Sequence, residues 1–217
     1  MPSITEELGA HPSWNSFFAP MEDKISNALR TVEEISGEMT PRREDIFAAF
    51  ASPIEKARVL IVGQDPYPTS GHAHGIAFSV PSHVQPLPKS LKNIFKEYSS
   101  DLGLTEPVNG DLSSWRDQGV ILMNRIFTTR TGESNAHIRK GWEEVSTYIA
   151  QHLGEAGAIA ILWGNQAQEL QHYFTRSLSS PHPSPLSAYK GFFGCKPFTR
   201  CNNLLEATSQ EPIDWTL

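Results

Sequence analysis

The stretch VLIVGQDPYPTSGHAHGIAFSV, residues 59–80, decides the fold. Its first four residues, Val59 to Val62, form a short, β-branched apolar run, the pattern of a strand buried on both faces of a parallel sheet. The run stops at Gly63 and is followed by an amide (Gln64), a carboxylate (Asp65) and a phenol (Tyr67). Open α/β sheets place their ligands at the carboxyl ends of such strands. Pro66 and Pro68 fix φ and lack a backbone donor, so the loop reads as stiff. Gly71 and Gly75 permit tight turns before a second apolar run, Ile76 to Val80, which places Phe78 in an apolar strand.

Three further apolar runs repeat the pattern. Gly119 to Met123 ends in Asn124, Gly157 to Leu162 ends in Trp163-Gly164, and the short Leu178-Ser179-Ser180 precedes His182. Helical periodicity predicts helices over 28–35, 43–50, from Ser90 to about Ser100, 142–153 and 166–174, with Thr40-Pro41 starting the second and Ser90 capping the third. This alternation predicts an α/β fold: a central four-stranded parallel twisted sheet flanked by helices on both faces. Asp65, Asn124, Gly164 and His182 each follow the carboxyl end of a different strand, so the topology lets them converge on one pocket. Trp14 and Phe17-Phe18 read as packing.

The 217 residues suit one domain with a full core, spanning 1–217, with residues 1–40 as an N-terminal helical segment packed on it. No linker or repeat breaks the chain. No run approaches the ~18 apolar residues of a membrane helix, and the N-terminus lacks a signal pattern, so a cytoplasmic monomer is expected. Cys195 and Cys201 lack CxxC spacing and read as reduced thiols. Net charge is −6, with 10 acids and 6 bases in residues 1–60. Basic residues cluster elsewhere: Lys89, Lys92 and Lys96; Lys190, Lys196 and Arg200; Arg125, Arg130, Arg139 and Lys140 against Glu133 alone. Gathered on one face, they form a phosphate footprint on an acidic protein.

Gly63-Gln64-Asp65-Pro66-Tyr67, with Ala73-His74-Gly75 and Phe78-Ser79-Val80, resembles the water-activating loop of family 1 uracil-DNA glycosylases. His182-Pro-Ser-Pro-Leu-Ser-Ala-Tyr189 resembles that family's leucine loop. The resemblance covers most of residues 40–215. It implies a monofunctional repair enzyme that flips uracil out of DNA and hydrolyses its N-glycosidic bond, without cofactor or metal. Asp65 and His182 are then catalytic, the first orienting water and facing the positive sugar, the second donating to uracil O2. Gln64, Tyr67, Phe78 and Asn124 bind the base: a backbone contact to O2, a wall against a 5-methyl group, a stacking face, and an amide pairing with O4 and N3–H. DNA contacts fall to Pro86, Lys89 and Ser90 in a proline-serine loop, to Gly164 and Asn165, and to Ser184, Leu186, Ser187, Tyr189 and Lys190, with Leu186 plugging the vacated stack. The implied partners are uracil-containing DNA, single- and double-stranded, and the phage uracil-glycosylase inhibitor protein.

Three positions depart from the family pattern. Pro68 stands where histidine is usual, Asn165 where serine is, and Lys190 where arginine is. A proline cannot donate to a phosphate, and lysine does not replace arginine in a bidentate contact. Two alternatives stay open. One is a metal-dependent hydrolase built on His72, His74 and Asp65 with His182, in which His72 and His74 share one side of a strand. The other is a non-catalytic nucleotide-binding α/β module, although no GxGxxG or P-loop motif is present.

Overall fold

The computed structural model describes residues 2–217. Six strands follow in chain order: β1 (Met39–Thr40), β2 (Val59–Gly63), β3 (Val120–Asn124), β4 (Thr129–Arg130), β5 (Ile159–Trp163) and β6 (Ser177–Ser180). Four form a parallel sheet in the order β3-β2-β5-β6, in register at Gly63↔Asn124, Val62↔Leu162 and Trp163↔Ser180. The remaining two, β1 and β4, pair antiparallel as a small ribbon that the periodicity did not predict.

The α-helices are α1 (Ile4–Glu7), α2 (Asn15–Phe18), α3 (Glu22–Glu33), α4 (Lys89–Leu102), α5 (Ser113–Asp117), α6 (Trp142–Glu155), α7 (Asn165–Gln168) and α8 (Pro197–Glu206). Successive strand side chains point to opposite faces, and the two cores divide accordingly. Leu60, Val62, Ile121, Met123, Ala160 and Leu162 pack with α3, α6 and the N-terminal segment. Val59, Ile61, Val120, Leu122, Ile159 and Ile161 pack with α4, α5 and α8. Every residue of β2 is buried, which explains its unbroken apolar sequence.

The first core is anchored by aromatic rings: Phe18 stacks on Phe47 at 5.3 Å, Phe47 meets Phe127 at 5.1 Å, and Phe127 meets Trp142 at 5.5 Å. Trp14 joins them edge-on to Phe50 at 5.1 Å. The packing role read for Trp14 and Phe18 is therefore the observed one. Both cysteines are free thiols, Cys201 fully buried.

Several local expectations are corrected. The helix over 28–35 is the end of the longer α3. The stretch 43–50 forms two 3-10 turns, Arg43–Asp45 and Ala48–Phe50, and Thr40 lies in β1 instead of capping a helix. The segment 166–174 divides into α7 and a 3-10 turn, Gln171–Tyr173. A 3-10 turn also repeats every three residues, so apolar spacing does not separate it from α-helix. Pro88 occupies the N-cap of α4, so Ser90 lies within the first turn and does not cap it. Ile76 to Val80 is not a strand: Ala77 N donates to Leu122 O (2.9 Å), Val80 N donates to Gly110 O (3.0 Å), and Phe78 adopts φ +65°. His72 and His74 therefore do not share a strand face.

Candidate active site

The carboxyl ends of β2 and β3, with His182 just after β6, open into a cleft of about 180 Å³, below the range of drug-sized pockets and suited to one flat ring. Gln64, Asp65, Tyr67, Phe78, Ser90, Asn124 and His182 line it, together with Ser134. A shallower groove continues from it past Gln64, Gly164, Asn165, His182, Ser187 and Lys190. Thus the residues named for catalysis and base binding meet in one cavity. Pro86, Lys89, Ser184, Leu186 and Tyr189 lie outside both hollows; of these, Leu186 is 87% exposed and Tyr189 80%.

Backbone register brings the floor together. Gly63 pairs with Asn124 across β2 and β3. A Cβ on Gly63 would lie 2.3 Å from Asn124 Oδ1 and 3.3 Å from the Phe78 ring, so only glycine leaves room for both. Gly164, at φ +92°, passes so close to His182 that a Cβ there would lie 2.9 Å from the histidine Cβ. The histidine is seated against bare backbone.

Phe78 is 8% exposed and wedged between Trp163 (centroids 5.2 Å apart) and His182 (5.7 Å). Its left-handed backbone is costly for a residue with a Cβ, on the order of 1–3 kcal/mol, and the surroundings hold it in place. Tyr67 Oη donates to the Phe78 carbonyl at 3.0 Å, tying one side of the cleft to the other. Burial pushes the Tyr67 phenol well above its ordinary range, so it stays protonated and able to donate.

Asp65 is largely buried, which raises its pKa; a hydrogen bond from Asn135 N to Oδ2 (2.7 Å) opposes the rise. Asn135 itself was not singled out in the sequence. Its left-handed backbone (φ +59°) aims that N–H at Asp65, and its Oδ1 accepts from Gln64 Nε2 at 2.8 Å. Three residues earlier, Gly132 N donates to Pro68 O at 2.7 Å. The loop 132–135 therefore grips residues 64–68 at three points, which builds Pro68 into the cleft wall.

His182 is depressed to a pKa of about 4 by burial, so it is neutral at physiological pH. Ser184 N donates to its Nδ1 at 3.0 Å, which assigns the remaining ring proton to Nε2. Ser187 Oγ donates to His182 O at 2.8 Å and lies 3.0 Å from Ser184 Oγ. The Ser187 hydroxyl thus bonds within the loop.

The expected basic cluster at 125–140 is only partly available. Arg125 is 7% exposed and bonded to Ser146 Oγ (2.9 Å) and Thr147 Oγ1 (3.0 Å); Arg130 is bound to Ser36 O and Glu133. Both serve packing. Lys89 and Lys190 are exposed at the rim, and Lys96 lies over the Phe193 ring at 5.1 Å.

The metal alternative loses its ligand set. His74 Nε2 bonds to Ser79 Oγ (2.7 Å) and His72 stands edge-on to Tyr67. Among the described residues no three His, Cys, Asp or Glu side chains gather as a cation site. No helix among them is long and apolar enough to cross a membrane.

Comparison with known proteins agrees with this geometry. The sequence model of the Uracil DNA glycosylase superfamily matches residues 50–206. Uracil-DNA glycosylase of Mycolicibacterium vanbaalenii is 47% identical over 211 residues, covering 94% of each chain. That of Corynebacterium efficiens is 46% identical over 220 residues, covering 98% of this chain and 92% of its own. Among solved structures, mimivirus uracil-DNA glycosylase superposes with a TM-score of 0.85 at 29% identity, over 97% of this chain and 88% of its own. A point variant of the mimivirus protein, solved in complex with UGI, matches with a TM-score of 0.86 at 29% identity, over 97% of this chain and 90% of its own. With cleft, sheet order and sequence in agreement, the chain belongs to the uracil DNA glycosylase superfamily.

Proposed function

We propose that this uracil-DNA glycosylase excises its base with Asp65 and His182 as the catalytic pair, within one domain spanning 1–217. Uracil leaves the duplex and enters the cleft, since its reacting atoms are unreachable inside the stack. Asn124 offers an acceptor to N3–H and a donor to O4; cytosine presents the opposite pattern and is rejected. Tyr67 stands where a 5-methyl group would go, and Phe78 supplies a stacking face worth about 1–3 kcal/mol.

The bond from C1′ to N1 then breaks, and its electron pair leaves with the base as an anion. His182 Nε2–H donates to O2 where that charge develops, and a neutral imidazole does so without giving up the proton. The Asp65 carboxylate faces the positive sugar and orients water. The water oxygen bonds to C1′ and one of its protons passes to Asp65 and on to solvent, from which the released uracil anion is protonated, leaving an abasic site and free uracil. Gln64 contributes its backbone near O2.

Duplex and single strand are both bound through Pro86, Lys89, Ser90, Gly164, Asn165, Ser184, Ser187, Tyr189 and Lys190, with Leu186 as the plug. The same exposed leucine suits UGI, which the mimivirus variant binds. The observation that carries this reading is the meeting of Asp65, Asn124 and His182 around one small cleft. The test is incubation with a one-uracil oligonucleotide in EDTA, followed by alkali. Free uracil and a cut strand are expected, and Asn124→Asp is expected to begin accepting cytosine. Activity that EDTA removes and zinc restores would favour the hydrolase built on His72 and His74.

A further inference from the structure

Polar side chains recur along α4 at four-residue intervals, Asn93, Glu97 and Asp101, which places them on one face. Each holds backbone of the segment that begins at His182. Asn93 Nδ2 donates to Pro183 O at 2.7 Å. Glu97, only 1% exposed, accepts from Gly194 N (2.6 Å) on one oxygen and from Lys196 N (2.8 Å) on the other. Asp101 Oδ2 accepts from Phe198 N (2.9 Å) and Thr199 N (3.1 Å), a carboxylate at the first turn of α8. One helix face thus grips the leucine-loop segment from 183 to 199.

The same helix begins at Lys89 and Ser90, in the proline-serine segment, and Ser90 lines the uracil cleft. We infer that α4 is a beam carrying both DNA-facing loops, and that Asn93 is the positioning residue that fixes the leucine loop to it. This rests on the reading of Leu186 as the plug. Pro183 brings no N–H of its own, so its carbonyl is the backbone handle left at that residue, and Asn93 holds it. On the loop side of Pro183 is Ser184, whose N–H orients His182; two residues further is Leu186. The beam keeps the wedge and the cleft in a fixed relation before DNA arrives, which lowers the cost of ordering them on binding.

The test compares KM and kcat on a uracil-containing duplex and on the matching single strand, with melting temperatures as control. Asn93→Ala removes the donor. Asn93→Asp keeps the volume but turns a carboxylate oxygen toward the Pro183 carbonyl. For Asn93→Ala, duplex KM rises roughly 2- to 12-fold, the size of one net hydrogen bond. The single strand, which needs no plug, shifts less, and kcat changes little on either. Asn93→Asp moves duplex KM further in the same direction; should it melt below assay temperature, Asn93→Ser carries the comparison with a shorter side chain. Duplex KM unchanged in every folded variant, or equal rises on both substrates, overturns the inference. Leu186→Ala, run alongside, separates the two readings. If it too leaves duplex KM untouched, the plug itself fails; if it is defective while Asn93→Ala is normal, only the beam fails.

Discussion

The water-activating loop and the leucine loop face the same cleft but are built in opposite ways. Residues 63–68 rest on the sheet and are gripped from the side by the loop 132–135, with Asp65, Gln64 and Pro68 each bonded to it. Residues 182–190 are tied down at His182, Pro183 and the two serines, and then present Leu186 and Tyr189 almost bare to solvent. The first loop is preorganised for the chemistry, where small misplacements are expensive. The second leaves its apolar area uncovered by the rest of the chain.

The largest expected effect falls on the buried loop. Asp65→Asn lowers kcat on the order of 10²–10⁴-fold, the range for a lost general base, while leaving duplex affinity nearly intact. The same change raises the melting temperature at neutral pH. Burial lifts the folded-state pKa of Asp65 above its unfolded value, so its contribution to stability is full below the unfolded pKa and lost as pH rises through the folded one. At pH 7 the ionised carboxylate is therefore a stability cost that asparagine removes. By the same sign, the acid limb of kcat lies above the ordinary aspartate range. Calorimetry and a pH–rate profile check both halves.

A smaller effect comes from the loop that holds Asp65. Asn135→Gly keeps both the left-handed backbone and the N–H, and kcat changes little, since the hydrogen bond it loses goes to the Gln64 side chain and not to Asp65. Asn135→Pro removes the donor to a carboxylate, worth about 1.5–3 kcal/mol, and its φ, fixed near −65°, also breaks the left-handed turn, so kcat falls by at least roughly 10- to 150-fold and the acid limb shifts to higher pH. Equal rates for the two variants, in a titration of kcat against pH, would break the claim that this loop sets the ionisation of Asp65.

The exposed loop gives the effect most confined to one substrate. Burying a leucine is worth about 1.5–3 kcal/mol, part of which is recovered when Leu186 enters the stack. Leu186→Ala therefore raises duplex KM by up to about tenfold and leaves the single strand nearly unchanged. Side-by-side kinetics on the two substrates sharpen the contrast between a prebuilt pocket and an engaging wedge.

The four parallel strands and the convergence of Asp65, Asn124 and His182 were legible because both follow from local pattern: apolar runs, each with a polar residue at or just past its carboxyl end; Gly164, read into the same pocket, lines the adjoining groove instead. The reading faltered where the determinant lies far along the chain. Asn135 grips Asp65 across 70 positions and Asn93 grips Pro183 across 90, and neither pairing leaves a local mark. Arg125 looked like a phosphate ligand because a charge count carries no information on burial. Phe78 looked like a strand residue because apolar composition does not reveal a positive φ.

The two bare floor positions, Gly63 and Gly164, have a consequence for redesign. Any side chain introduced there displaces Asn124 and Phe78 in one case, His182 in the other, before a substrate is offered. Libraries meant to change which base this protein releases should therefore vary the upright surfaces, Tyr67 and Asn124, and leave both glycines untouched.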